Sequence, residues 1–179
     1  MNWRAGFLTV TATVVALDQA TKALAHAKLR GGSPVEVVPG FLDLVYSRNP
    51  GGLFGFFGQM PGPWRIALLT VVPLFVVLLI GYLLLRDDDT TRIARSGLSL
   101  ILGGAVGNLI DRVFRGEVVD FIDTYVSAPD AARWLVERFG TAHWPTFNLA
   151  DSAIVVGACL LAIDLLLPVR RARTNPEHP

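Results

Sequence analysis

The sequence predicts an all-α membrane protein of four transmembrane helices, with a small extracytoplasmic β element and a short amphipathic helix in the outer loops. Three observations lead there. Hydrophobic residues fill 52% of the 179 positions and charged residues only 17%, where a soluble domain carries about 25% charged residues. The mean hydropathy is +0.48. Four segments reach the roughly 20 residues needed to cross a hydrocarbon core. A soluble chain of this length has too little interior to hide so much apolar side chain, which disfavours a cytosolic globular enzyme. The net charge of +1 offers no basic field for nucleic acid. The single cysteine, Cys159, rules out an intramolecular disulfide and reads as a small buried apolar residue. No Cys/His cluster suggests zinc.

The spans follow in order at residues 5–25, 66–85, 96–113 and 149–167, within one integral-membrane domain covering 1–179. The first contains Asp18 and Lys22, placed where a secretory signal would need a small-residue cleavage site, so it reads as a span and not as a leader. The second is free of charge from Ile66 to Leu85, and its Pro73 is tolerable in a membrane helix. The third is rich in small residues and ends near Asp111-Arg112; the fourth carries Asp151 and Asp164. Between spans one and two, Val35 to Val38 and Phe41 to Tyr46 flank Pro39-Gly40 and read as two short strands around a turn. Leu53 to Phe57 and Trp64 suit the membrane interface. Between spans three and four, Ser127 is expected to cap a short helix with Pro129 in its first turn and Gly140 after its end.

Four spans put both termini on one side. Arg4, the Arg86–Arg95 connection and the Arg170-Arg171-Arg173 tail then crowd short segments, whereas the Lys and Arg of the other side spread over two long loops. That density places the termini in the cytoplasm. With this orientation the polar residues gather at the outer face: Asp18 and Lys22 late in span one, Asn108, Asp111 and Arg112 late in span three, and Asn148 and Asp151 early in span four. Asn49 and Asp120 lie in the outer loops.

Ionisable groups in membrane segments usually face the protein interior or a wet cavity. Asp18 and Lys22, spaced i,i+4 with the acid first, read as a structural ion pair. Asn108 and Arg112 share a helix face and read either as interhelical hydrogen-bond glue or as ligand contacts. Asp164 reads as snorkelling or paired near the inner interface, and Asp123, Asp130 and Glu137 as solvated. No nucleophile elbow is present, and Cys159 has no nearby His in sequence. A carboxylate site for a hard cation stays open. Two carboxylates are the other option: close Asp groups cannot both ionise cheaply, so they share a proton, and the pair can activate water against a peptide bond.

Five stretches in order resemble one family. Asp18-Gln19-x-Thr21-Lys22, Asn49-Pro50-Gly51-Gly52-Leu53-Phe54-Gly55, Gly103 to Arg112, Val118-Val119-Asp120-Phe121-Ile122 and Phe147 to Ala153 are similar to the boxes of lipoprotein signal peptidase, or signal peptidase II. That family consists of bacterial integral-membrane aspartic proteases. The resemblance implies cleavage of diacylglyceryl-modified prolipoproteins just before the lipidated cysteine of the lipobox, in the inner membrane, by a monomer, without cofactor or metal, and with membrane lipid as the other partner. It implies that Asp120 and Asp151 are catalytic. By the same resemblance Asn49, Gly51, Asn108, Arg112 and Asn148 contact substrate or hold the dyad, and Asp18, Lys22 and Asp111 support the site. Two departures stand out. Gly52-Leu53 replaces two small alanines of the family pattern. The connection from Asp120 to Asp151 is longer than that pattern, with the extra residues in Ala128–Trp144, either shaping substrate choice over the site or inserted passively. The competing readings are a non-enzymatic ion or proton pathway, which would need Asp164, and a precursor binder that does not cut.

Overall fold

The structure is a computed structural model and describes residues 3–50, 60–86 and 90–167. Along the chain run α1 (Trp3–Leu29), β1 (Val35–Val38), β2 (Leu42–Asn49), α2 (Gly62–Arg86), α3 (Arg92–Arg115), β3 (Val118–Thr124), α4 (Pro129–Phe139) and α5 (Leu149–Leu166). Three of these helices are long and apolar enough to cross a membrane: α2 over Gly62–Leu84, α3 over Arg92–Arg115 and α5 over Leu149–Leu166. With 27 residues α1 has the length, but Asp18, Gln19 and Lys22 interrupt its apolar run. Apolar side chains cover the outside of the bundle; Phe75, Leu78, Val155 and Leu165 are all more than half exposed. Such a surface needs lipid around it. Cys159 is on this outer surface and not in the interior as expected.

The molecule is mostly helical and not all-α. The expected two strands form, and β3 joins them in an antiparallel sheet ordered β1-β2-β3. The sequence does not announce β3, because Val118, Val119, Asp120 and Phe121 are all buried and so lack the in-out alternation of a half-exposed strand. A register shift between Leu44 and Ser47 separates the two halves of the β2–β3 pairing. Ser127 does not cap α4; the capping position is Ala128, without a side-chain hydrogen bond. Pro129 and Gly140 take their expected places, the glycine at φ 80°, a left-handed conformation open to a residue without Cβ. A short ladder carries α4 away from the bundle: Ile122 pairs with Phe147 and Tyr125 with His143. At its base His143 also contacts Asp123 at 3.0 Å, so that carboxylate is paired and not simply solvated.

The centre of the bundle is α3, packed against α1, α2 and α5. Its glycines let backbones meet, the usual route to close helix packing in lipid. A Cβ on Gly97 would stand 2.8 Å from the Gly157 carbonyl, and one on Gly104 would collide with the Ala150 carbonyl. Phe7, Ile80, Leu84 and Leu102 pack into an apolar core at one end. The other end is polar. Because Ala150 immediately precedes Asp151, Gly104→Val is expected to push the start of α5 off α3. The expected cost is about 1–3 kcal/mol of stability, measurable as a lower thermal midpoint in detergent, together with loss of most activity.

Candidate active site

The polar end is built from three layers, each holding the next. Lys22 on α1 is the deepest, 1% exposed. Its ammonium has three N–H donors, and three acceptors meet them: Asp18 Oδ2 at 2.9 Å, Asp111 Oδ2 at 2.9 Å and Asn108 Oδ1 at 2.9 Å. A buried lysine is tolerable only when so compensated. Asp18 comes close to α3 because residue 107 is glycine; a Cβ there would stand 2.5 Å from its Oδ2.

The second layer is backbone. Asp18 Oδ1 accepts the Ala150 N–H at 3.1 Å, and Asp111 Oδ2 accepts the Val119 N–H at 3.3 Å. Each carboxylate of the buried triad therefore holds the amide directly preceding one of the two aspartates predicted to be catalytic. Gln19 ties the layer together: its amide donates to Asp18, the Gly107 carbonyl and Asp111, and its carbonyl accepts from Arg115 at 3.0 Å. Arg115 also pairs with Asp111.

The third layer is the carboxylate pair. Asn148 caps α5, its Oδ1 accepting the Asp151 N–H at 3.0 Å while its own N–H donates to Asp151 Oδ2 at 3.2 Å, a reciprocal capping box. The same side chain donates to Asp120 Oδ1 at 2.7 Å. Asn148 thus touches both carboxylates. Asn49 at the end of β2 donates to Asp120 Oδ2 at 3.0 Å, and Asn108 donates to Asp151 Oδ1 at 2.8 Å. Among the described residues the direct donors to the pair are neutral amides, with the Lys22 cation one residue behind Asn108. Arg112 is half-buried on α3, and its charge acts on both Asp151 and Asp120. It faces a small cleft of about 10 Å³ shared with Asn49, Pro50 and Leu69.

Asp120 is 1% exposed. Burial pushes its carboxyl pKa up to about 6, and the neighbouring charge of Asp151 adds to the rise; the hydrogen bonds from Asn49 and Asn148 oppose it. A buried acid held near neutrality beside a second carboxylate is the arrangement that lets two acids share one proton and handle water.

Nine of the ten residues named from sequence therefore meet at one end of the bundle; Gly51, like Gly52-Leu53, is outside the described residues. Gln19 and Arg115 were not among them. Gln19 stands inside the first box, which was the available signal. Arg115 lies past the expected third span, which ends at residue 113, but α3 runs two residues further and includes it.

The fold and the site together define a class: a helical membrane protein presenting two hydrogen-bonded carboxylates above a buried polar core. Residues 10–167 match the family model described as signal peptidase (SPase) II. The lipoprotein signal peptidase of Solibacter usitatus is 41% identical over 172 residues, 96% of each chain. That of Geobacter metallireducens is 43% identical over 167 residues, covering 92% of this chain and 93% of the relative. Two solved bacterial membrane enzyme structures superpose with TM-scores of 0.73 and 0.74 at 28% and 30% identity, covering 94% and 90% of this chain and 95% and 93% of theirs. This chain belongs to the signal peptidase II family.

Proposed function

We propose that this protein cleaves the signal peptide from diacylglyceryl-modified prolipoproteins, just before the lipidated cysteine, with Asp120 and Asp151 as a water-activating dyad. The observation that carries the reading is Asn148, whose one side chain and backbone bond both carboxylates. The ionised member of the dyad takes a proton from water, and the protonated member donates to the scissile carbonyl. The proton belongs to the pair. Asn49 and Asn108 orient the two carboxylates from their outer oxygens. Arg112 borders the substrate, its charge beside the developing oxyanion, and Gly51 contacts substrate or supports the dyad as in the family. Asp18, Lys22 and Asp111 position both reacting groups through the backbone amides they hold.

In this reading the whole chain is one bacterial inner-membrane unit acting as a monomer, α1 is the fourth span, both termini are cytoplasmic and the dyad faces the outer leaflet. The exposed Trp134 and Phe139 of α4 rest on that leaflet. An ion pathway is not favoured: the opposite end of the bundle is packed with Phe7, Ile80, Leu84 and Leu102, and Asp164 accepts a hydrogen bond from Thr91. A binder that does not cut is not favoured among relatives that are peptidases by name.

The test is cleavage by purified protein of a diacylglyceryl-modified precursor, with the unmodified precursor as control. The lipidated precursor should be cut and the unmodified one left intact; a silent enzyme on both would overturn the reading. The pH profile carries a sign. Burial raises the Asp120 pKa to about 6, so the pair should lose its shared proton above that value and kcat/KM should decline about tenfold per unit on its alkaline side. The Asn49 hydrogen bond lowers this pKa. Asn49→Ala should therefore reduce kcat/KM and move the alkaline limb to higher pH; a shift to lower pH would contradict the assignment.

A further inference from the structure

Behind the candidate active site, on the other face of the same strands, is a cavity of about 380 Å³ lined by His26, Arg30, Tyr46, Arg48, Arg115 and Val119, among others. Its size is that of a small-molecule site, typically ~300–1,000 Å³. We propose that this cavity binds the phosphate of an anionic phospholipid headgroup from the outer leaflet.

The lining is cationic and its cations are incompletely neutralised. Among the described residues no carboxylate lines the cavity. Arg48 Nε pairs with Glu117 at 2.8 Å and its Nη2 donates to the Arg115 carbonyl, leaving further N–H donors on its fork. Arg115 pairs through Nη1 with Asp111, a carboxylate already shared with Lys22. The Arg30 contact among the described residues is with a ring nitrogen, His26 Nε2 at 3.3 Å, and not with an acid. Since Arg30 donates there, His26 Nδ1–H is left to donate to the Tyr46 hydroxyl at 2.9 Å. Three guanidinium forks around one cavity suit phosphate oxygens, which accept them in pairs.

The position favours a lipid. The cavity borders the last turns of α1, at the outer end of the bundle in the orientation proposed above. Along α1 toward the membrane, the exposed Ala12 and Ala16 continue the helix face of Ala23, which lines the cavity, and leave room for an acyl chain to lie along it. Strand alternation gives the site a consequence. Arg48 pairs with Val119 in the sheet and both line the cavity, while the next residues, Asn49 and Asp120, bond each other on the opposite face. A bound headgroup would stiffen the strands that aim Asn49 at Asp120.

Purified protein in neutral detergent should be titrated separately with short-chain phosphatidylglycerol, with short-chain phosphatidylcholine and with inorganic phosphate, reading thermal midpoint and lipid adducts by native mass spectrometry. Phosphatidylglycerol should bind and stabilise, and Arg30→Gln should weaken it about tenfold, with Arg30→Lys recovering part of the loss. Arg30 is exposed, so its substitution spares the fold. Arg133→Gln, on exposed α4, should leave binding unchanged. Stabilisation by inorganic phosphate to the same degree would support the phosphate site while assigning it to the free ion. No selective binding of either anion, or equal losses in Arg30→Gln and Arg133→Gln, would overturn the proposal.

Discussion

Asp120→Asn and Asp151→Asn are each expected to reduce prolipoprotein cleavage by at least ~10³-fold, within the range that acid–base groups contribute, and to leave the protein folded. The loss follows from the shared proton: an amide can neither accept it from water nor pass it to a leaving group. The folding half of the prediction also has a sign. Burial raises the Asp120 pKa from its ordinary value to about 6, so between about pH 4 and pH 6 the folded state holds more protons than the unfolded one, and stability falls as pH rises through that window. Above it the folded protein carries an ionised buried carboxylate at a cost of up to about 3 kcal/mol. Asp120→Asn removes that cost. Its thermal midpoint at pH 7.5 should equal or exceed that of the parent, and the advantage should vanish near pH 4. Cleavage by either variant within tenfold of the parent would remove these residues from the mechanism.

The second large effect is expected from Lys22. Lys22→Met strips the partner from two buried carboxylates, Asp18 and Asp111, and breaking a buried ion pair on one side costs about 3–5 kcal/mol. Thermal unfolding in detergent should show a correspondingly lower midpoint. The triple variant Asp18→Asn, Lys22→Met, Asp111→Asn leaves no uncompensated charge and should recover much of that stability. It should recover less activity, because the amides of Ala150 and Val119 lose their carboxylate acceptors. A single Lys22→Met variant as stable as the parent would show that the triad does not hold the bundle together.

Local chemistry made much of the molecule legible. The α2 span shows in its uncharged run, the start of α5 in Asn148 and Asp151 at capping-box spacing, and the end of α4 in Gly140. The order of the polar boxes along the spans was enough to place Asp18, Lys22, Asn108, Asp111 and Asp151 near one end. Other features were hidden for stated reasons. The strand holding Asp120 is buried on both faces at its start, so periodicity is silent there. Cys159 looked internal because an apolar helix in lipid has no polar side to mark its outside.

By itself the sequence determined where helices run, which residues are costly to place in lipid, and which carboxylates were available for chemistry, since these depend on composition and on spacing within one element. Only the tertiary structure decided the partners: that Lys22 divides its three donors among Asp18, Asp111 and Asn108, that those two acids grip the amides before Asp151 and Asp120, and that Asn148 spans both carboxylates. Apart from Lys22–Asp18, Asp111–Val119 and Asn148–Asp151, which are close along the chain, these bonds join residues tens of positions apart. Their formation depends on how closely glycine-lined α3 lets α1 and α5 approach, a distance that no spacing along a single helix encodes.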